Sequence, residues 1–380
     1  MTTPPPPVGI SENVRMLGRL DLPGGGQVVV RNGVAYVGHM DPPDGTTLVD
    51  VSDPRKPKVL SRLEVPMNIH SHKVRVRGDI MVVNHEGYGK DRAGVEGGMK
   101  VFDVSSPQAP REIAFFPVPA PGVHRYDMDG RYVYLSAPAE GYVGNIVRIV
   151  DLADPENPEE AGRWHLPGQW TAGGETPLPD GRESRCHHPL RFGDRLYVSY
   201  WHAGFVILDV TDLGAPRLVS HVDWSPPYPC PTHTALRIPQ KLKGRDFLFV
   251  ADEEVPFRLA PEPNAFVWMV DVTDETNPVP VSTWRAPHDE PFTSDAERFG
   301  CHQPQEQMYG EDVIAVTWFA GGVRFLDISD PYRLEEVAYH IPFPGKGRDV
   351  VQSNDVFVDP SGLAYLIDRF NGFEILELTI

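Results

Sequence analysis

The chain has 380 residues, 41% of them hydrophobic, with 40 prolines, 35 glycines and a net charge of −18. That balance supports a large core cut into many short elements, and it argues against binding to nucleic acid or to an anionic membrane surface, both of which repel an acidic protein. Three cysteines (Cys186, Cys230, Cys301) are too few and too odd for a disulfide framework and are expected as small buried packing residues.

The first stretch, "MTTPPPPVGI", lacks the basic and apolar regions of a secretory signal. Residues 1–9 are expected to form a disordered, proline-rich tail. No apolar run approaches the length of a membrane span, so a soluble cytoplasmic protein is the expectation. Residues 10–380 read as one domain written in a repeated phrase: an apolar run, Asp, an apolar residue, Ser, Thr or Ala, then Asp-Pro or a variant. It appears at Asp50 ("LVDVSDPRKP"), Asp103 ("VFDVSSPQAP"), Asp151 ("IVDLADPENP"), Asp209 ("ILDVTDLGAP"), Asp271 ("MVDVTDETNP") and Asp327 ("FLDISDPYRL"). A truncated copy, "FEILELTI", carries Glu377 in the Asp place. Recurring Asp and Ser in a turn satisfy nearby backbone donors, so these aspartates read as structural.

Each unit contains four short runs rich in Val, Ile, Phe and Tyr, bounded by turn residues, which is the pattern of a β-propeller blade. The seven copies predict an all-β, seven-bladed β-propeller with four-stranded blades. The last copy lacks its fourth strand. "RMLGRLDLP" (Arg15–Pro23) resembles the fourth-strand segment "KVLSRLEVP" (Lys58–Pro66), so the N-terminal strand is expected to complete the last blade and close the ring.

Aligning the first strands of the blades puts His72, His124, His187, His233, His302 and Asn354 in one column, with Gly26 in the first blade. The start of each first strand lies at one mouth of the central channel, so these imidazoles are expected to converge there. Packed neutral imidazoles leave acceptors unpaired and charged ones repel, and a cation answers both problems. The five histidines are therefore candidate ligands of a divalent transition metal (Fe, Cu, Mn or Zn). The residue after each column histidine varies without evident pattern. Long insertions enter the same mouth, where a rigid scaffold builds specificity. Candidate acid–base residues there are Glu86, Glu253, Glu306 and His202; candidate substrate contacts are His188, Trp201, Phe319, Asn354 and Arg369.

The wording of the repeat resembles the LVIVD-repeat β-propeller family over nearly the whole chain, a likeness that implies the fold more than a function. The architecture is also similar to seven-bladed propellers with axial histidines: carotenoid-cleavage oxygenases, which use iron, and selenium-binding-type thiol oxidases and nitrous oxide reductases, which use copper. That likeness carries no residues over. Three readings follow. The first is a metal-dependent oxidoreductase (oxygenase or oxidase) acting on a small organic molecule. The second is a redox-neutral metal-dependent lyase or hydrolase. The third is a non-enzymatic scaffold that binds other proteins through its loop-rich rim.

Overall fold

The structure, a computed structural model, describes residues 9–177, 184–256, 263–287, 298–345 and 347–380. The tail expected to be disordered thus lies, except for Gly9, outside the described residues. The strands form seven antiparallel sheets arranged as the blades of a propeller. Blade four is representative, running His188–Phe192, Arg195–Ser199, Phe205–Asp209 and Arg217–Val222 from the channel outward. Burial explains the composition of each position. Second and third strands lie between neighbouring blades and are apolar on both faces; Phe247–Asp252 is buried throughout. Fourth strands face water, as in Lys58–Glu64, and carry the charges. The apolar clusters accordingly lie between blades: Val147 and Ile149 of blade three pack with Leu196, Val198, Val206 and Leu208 of blade four.

The repeated Asp phrase is a turn device. Asp50 Oδ1 accepts the backbone N–H of Ser52 at 3.0 Å and its hydroxyl at 2.6 Å. The same aspartate-to-backbone bond recurs at Asp103, Asp151, Asp209, Asp271 and Asp327, 2.7–2.9 Å long. These side chains hold the hairpin into the fourth strand, which leaves them no part in chemistry.

Val14–Pro23 pairs antiparallel with Asn371–Leu378, supplying the outer strand of blade seven as expected. Arg15 Nε donates to Glu377 Oε2 at 2.8 Å across this seam. The N-terminal segment does more than the sequence suggested. Ile10–Glu12 pairs with Glu335–Ile341 at the edge of blade six, so one segment covers two blades. Blade six departs from the pattern at its channel end, where Pro304 makes only an isolated bridge to Val316. Proline has no N–H to give a ladder, and side chains replace it: Gln305 Oε1 accepts from Ala315 N at 2.9 Å and Thr317 Oγ1 from Gln303 N at 3.1 Å.

Around the channel, hydrogen bonds join each blade to the next. Val74 N donates to Gln27 Oε1 (3.0 Å), Tyr126 OH to the Lys73 carbonyl (2.8 Å), Arg191 N to Asp127 Oδ2 (2.9 Å) and Ser199 Oγ to the His233 carbonyl (2.6 Å). Thr234 Oγ1 reaches Gln303 Oε1 (3.3 Å), Thr317 Oγ1 the Asn354 carbonyl (3.1 Å), and Val28 N the Asp355 carboxylate (2.8 Å), which links blade one to blade seven. Among the described residues no helix is long and apolar enough to cross a membrane.

A chain shortened to begin at Gly24 should uncover the edges of blades six and seven together. It is expected to lose on the order of 5 kcal/mol of stability and to associate through the bared strand, read by urea denaturation and size-exclusion chromatography.

Candidate functional site

Because the first strands start together at one end of the channel, the column imidazoles stand side by side. Ring centroids are 5.4 Å apart for His72–His124, 5.0 Å for His124–His187, 4.5 Å for His187–His233 and 4.3 Å for His233–His302. A sixth ring, His70 from the short strand Ile69–His70, stacks on His72 at 3.7 Å. Asn354 extends the series, donating to the Gly26 carbonyl at 2.8 Å. Gly26 itself explains why blade one lacks a histidine: a Cβ there would lie 2.5 Å from the Cβ of His72. His124 is the most open of the five column histidines, with a side chain 25% exposed.

A neutral imidazole has one N–H and one lone pair. Burial holds His72, His187, His233 and His302 well below their ordinary pKa. It also lowers His124, against the pull of Glu86, and brings His70 down to about 4. With the rings neutral, each hydrogen can be located from its partner. Nδ1 of His187 faces the His233 carbonyl at 2.8 Å, Nδ1 of His302 the Asn354 carbonyl, and Nδ1 of His70 the Met40 carbonyl. Nδ1 of His124 faces the Glu86 carboxylate at 3.1 and 3.2 Å. None of these partners can donate, so in all four rings Nδ1 carries the hydrogen and Nε2 is bare. The other two rings are engaged differently. Arg125 donates to Nε2 of His233 at 3.0 Å, and the Asn84 amide donates to Nδ1 of His72 at 3.3 Å. The outcome is a contact between two acceptors: Nε2 of His124 and Nε2 of His187 lie 3.2 Å apart, lone pair against lone pair.

Two carboxylates flank this contact. His70, His72 and Glu86 form one group whose ligand atoms all lie within 4.8 Å of one another, and His187, His233 and Glu253 form another. His124 connects them, bonded to Glu86 on one side and against His187 on the other. Burial works to raise the Glu86 carboxyl, but His124, through charge and hydrogen bond, leaves it below the usual range. Register accounts for the placement. Each second strand pairs with the residue after a column position, and two residues onward stands a wall position above the tier: Met40, Glu86, Pro138, Trp201, Glu253, Phe319 and Arg369. Trp201 lies against His187 at 4.8 Å and Phe319 stacks on His302 at 4.7 Å. Both are reached through a turn closed by a glycine of positive φ (Gly204 at 66°, Gly322 at 78°), where a Cβ would strike the fourth strand's backbone.

Residues 192–223, which span the second to fourth strands of blade four, match the family described as the LVIVD repeat. The chain is a seven-bladed β-propeller that carries an LVIVD repeat in blade four. No curated protein matches its sequence. Among solved structures it is similar to the C-terminal WD40 domain of Sif2 (TM-score 0.59, 9% identity, 96% of this chain and 98% of that one). It is also similar to a streptogramin B lyase (0.54, 12%, 96% and 97%) and to Sqt1 of Saccharomyces cerevisiae (0.55, 10%, 94% and 83%). At such identities the likeness is one of fold alone.

Within this propeller the expected site residues separate into levels. The five column histidines, Glu86, Glu253, Trp201, Phe319, Asn354 and Arg369 are brought together at the mouth. His202 lies beside them, in the tight turn Trp201–Ala203, its ring edge-on to Trp201 at 6.0 Å. Glu306 and His188, by contrast, belong to a second level deeper in the channel. Arg125 Nη2 donates to Glu306 Oε1 at 2.7 Å, Arg75 pairs with Oε2, and Gln27 reaches both oxygens at 3.1 Å. His188 is fully buried between Thr234 Oγ1 (3.2 Å) and Glu306 Oε1 (3.5 Å). This level was hidden in the column that looked patternless. Gln27, Lys73, Arg125, His188, Thr234, Gln303 and Asp355 differ in kind, but every one is polar and buried, and together they form the network. His70 and Arg125 were not expected at the site; the shared polarity of that column was the available signal for Arg125, and His70 had none. The cysteines behave as packing residues: Cys186 and Cys301 lie in cores between blades, where burial pushes both thiols up. The insertions entering this mouth fall partly on residues 178–183, 257–262 and 288–297, outside those described.

Two stability measurements follow. Glu306→Gln leaves Arg75 and Arg125 buried against a neutral amide and should cost about 3–5 kcal/mol in urea denaturation. Asp252 is buried, its carboxylate accepting from Trp268 Nε1 at 2.9 Å and Thr232 Oγ1 at 3.2 Å, and burial pushes its pKa up to about 8. A folded pKa above the unfolded value gives stability that is complete below the unfolded pKa and is lost as pH rises toward the folded one. Between pH 5 and 7.5 Asp252 should therefore remove about 3 kcal/mol from the wild type and nothing from Asp252→Asn, so paired denaturation at the two pH values isolates the effect.

Proposed function

We propose that this propeller is a metal-dependent enzyme that binds a divalent transition ion (Fe, Cu, Mn or Zn) at the histidine tier and acts on a small organic molecule. One observation carries the reading: the bare Nε2 atoms of His124 and His187 face each other at 3.2 Å. A shared proton would relieve that contact only by charging an imidazole, which burial opposes. A cation relieves it directly. Two imidazole nitrogens on one ion, each about 2.1 Å from it, stand about 3.0–3.4 Å apart for octahedral to tetrahedral angles. The observed separation fits. His124 and His187 would hold the ion, with Glu86 and Glu253 beside it, while His233 is steadied by Arg125. The donors are nitrogen and oxygen, with the thiols turned away into the cores, a set suited to borderline rather than soft ions.

When bound, such an ion supplies Lewis acidity or electron transfer beside a substrate atom. The chain's own part is to hold the imidazoles in one tautomer through backbone carbonyls, to exclude bulk water by burial, and to accept or return a proton at Glu86 or Glu253. The first reading is an oxidoreductase of the oxygenase or oxidase type, supported by two neutral imidazole ligands, which do not themselves offset the ion's charge. The second, a redox-neutral lyase or hydrolase, is favoured by the two carboxylates set as proton acceptors against the tier. We take the protein to be cytoplasmic, in keeping with three cysteines that form no disulfide among the described residues.

Purified protein is expected to retain about one transition-metal ion per chain, and a His124→Ala/His187→Ala variant to lose it, by plasma mass spectrometry. No stoichiometric ion in the wild type, or equal metal in the variant, ends the metal reading. Turnover that ceases without O₂ selects the first reaction class; turnover indifferent to O₂ selects the second.

A further inference from the structure

Blade two builds more at this mouth than closing the ring requires. Its second strand, Ile80–Gly87, has eight residues, against five or six in the other blades, and the surplus pairs with the extra strand Ile69–His70. His70 stands directly opposite Glu86 in that pairing, so the two side chains share one face of the ladder. In His70-Ser71-His72 the imidazoles are two positions apart, which turns them to the same side of the strand, and the rings stack at 3.7 Å. Alternation and cross-strand register thus bring two imidazoles and one carboxylate together, with ligand atoms all within 4.8 Å of one another.

Each of the three is held in place and has a lone pair to spare. His70 also stacks with Tyr88 at 5.5 Å, and it gives its Nδ1 hydrogen to the Met40 carbonyl, which leaves Nε2 without a hydrogen bond. Tyr88 is anchored in turn, its hydroxyl to Asp41 and its N–H to the Asn68 carbonyl at 2.8 Å. The Asn84 amide offers two hydrogens to three acceptors: the Val123 carbonyl at 3.1 Å, Nδ1 of His72 at 3.3 Å and the His70 carbonyl at 3.4 Å. His72 can therefore give up that bond without leaving the amide unpaired. Burial keeps both rings neutral, so no proton has to leave before an ion arrives. Glu86 has two oxygens, and the single Nδ1 hydrogen of His124 needs only one of them. Its Oε2 lies 4.0 Å from Nδ1 of His72, a gap that an ion bound to both atoms closes to about 3.4 Å.

We propose that His70, His72 and Glu86 form a second site for a divalent transition ion such as Zn²⁺, separate from the His124–His187 pair. The site exchanges its ion with solution: His70 and Glu86 are only half-buried, and the positive charge of Arg369 reaches His70 and opposes a cation there. Glu86 joins the two sites. The carboxylate that binds this ion also accepts the Nδ1 hydrogen of His124, whose other nitrogen faces His187. An ion here takes up the charge with which Glu86 receives a proton and leaves Glu253 to serve alone. The second site stands on its own three residues and does not depend on an ion between His124 and His187.

The probe is Zn²⁺, titrated calorimetrically into untagged full-length protein whose metal content has first been read by plasma mass spectrometry. One zinc ion per chain should bind beyond any ion retained through purification. His70→Asn keeps a donor for the Met40 carbonyl and removes Nε2, while His70→Phe keeps the stack on His72 and Tyr88. Both should weaken the added zinc at least about ten-fold with the retained metal unchanged, and His124→Ala/His187→Ala should bind it as the wild type does. If one His70 variant does not fold, the other decides. Equal zinc uptake by a folded His70 variant, as zinc on another pair such as His165 and Glu175 would give, overturns the proposal. So does the absence of uptake beyond an ion that the His70 variants retain. A retained ion lost from His70→Asn but not from the double alanine variant counts for this site and against that pair. Uptake that depends on His70, in a protein that never retains an ion, sinks the first metal reading and leaves this site standing; a retained ion lost from the double variant, without further uptake, does the reverse.

Discussion

An imidazole that must stay neutral can give away its single hydrogen only once, and in this channel the backbone takes it. The carbonyls of His233, Asn354 and Met40 claim the Nδ1 hydrogens of His187, His302 and His70, and Glu86 claims that of His124. The chemistry of these four imidazoles follows from that assignment. It fixes the tautomer, turns four Nε2 lone pairs away from the backbone, and makes the His124–His187 approach a meeting of two acceptors. Without the propeller, these residues are separated by tens of positions along the chain. Within it, the carbonyls that orient His187 and His302 belong to the column residues of the next blades, so the scaffold and the site are built from the same bonds.

Beneath the imidazoles lies a level of buried charge that could not stand in a lone sheet. Lys73, Arg75 and Arg125 face Glu306 and Asp355, and burial pushes Asp355 up to about 6 and Arg125 down to about 9. Such a network is expensive unless each member is satisfied from several directions, and a ring of seven strand ends offers those directions. Arg125 is the link between levels, bonding His233 above and Glu306 and Gln303 below. The histidine tier therefore rests on a floor of densely connected buried polar groups, in which Arg125 Nε and His188 Nε2 have no hydrogen-bond partner.

Much of this was legible in the sequence because repetition supplies its own alignment. The Asp phrase predicted the blades, the match of Arg15–Pro23 to Lys58–Pro66 predicted the closing strand, and the first-strand column predicted which histidines would meet. Strand ends likewise pointed to Glu86 and Glu253, and residue type to Trp201, Phe319 and Arg369. What stayed hidden depends on register between blades, which no single repeat contains. The position after each histidine seemed unconstrained because seven different polar residues solve one shared problem jointly. Glu306 appeared to belong to the mouth from its spacing to His302, yet Pro304 breaks the strand between them and the carboxylate falls to the lower level. Hydrogen placement on the imidazoles is likewise a property of the assembled ring.

The strand that finishes blade seven comes from the opposite end of the chain, and this orders events in time. Glu377 meets Arg15 across 362 positions, so the circle cannot shut until residues 371–378 have been made. Blades one to five can form as they are synthesised, with His72, His124, His187 and His233 already neighbours. His302 and Asn354 arrive afterwards, and the channel mouth is an open arc until then.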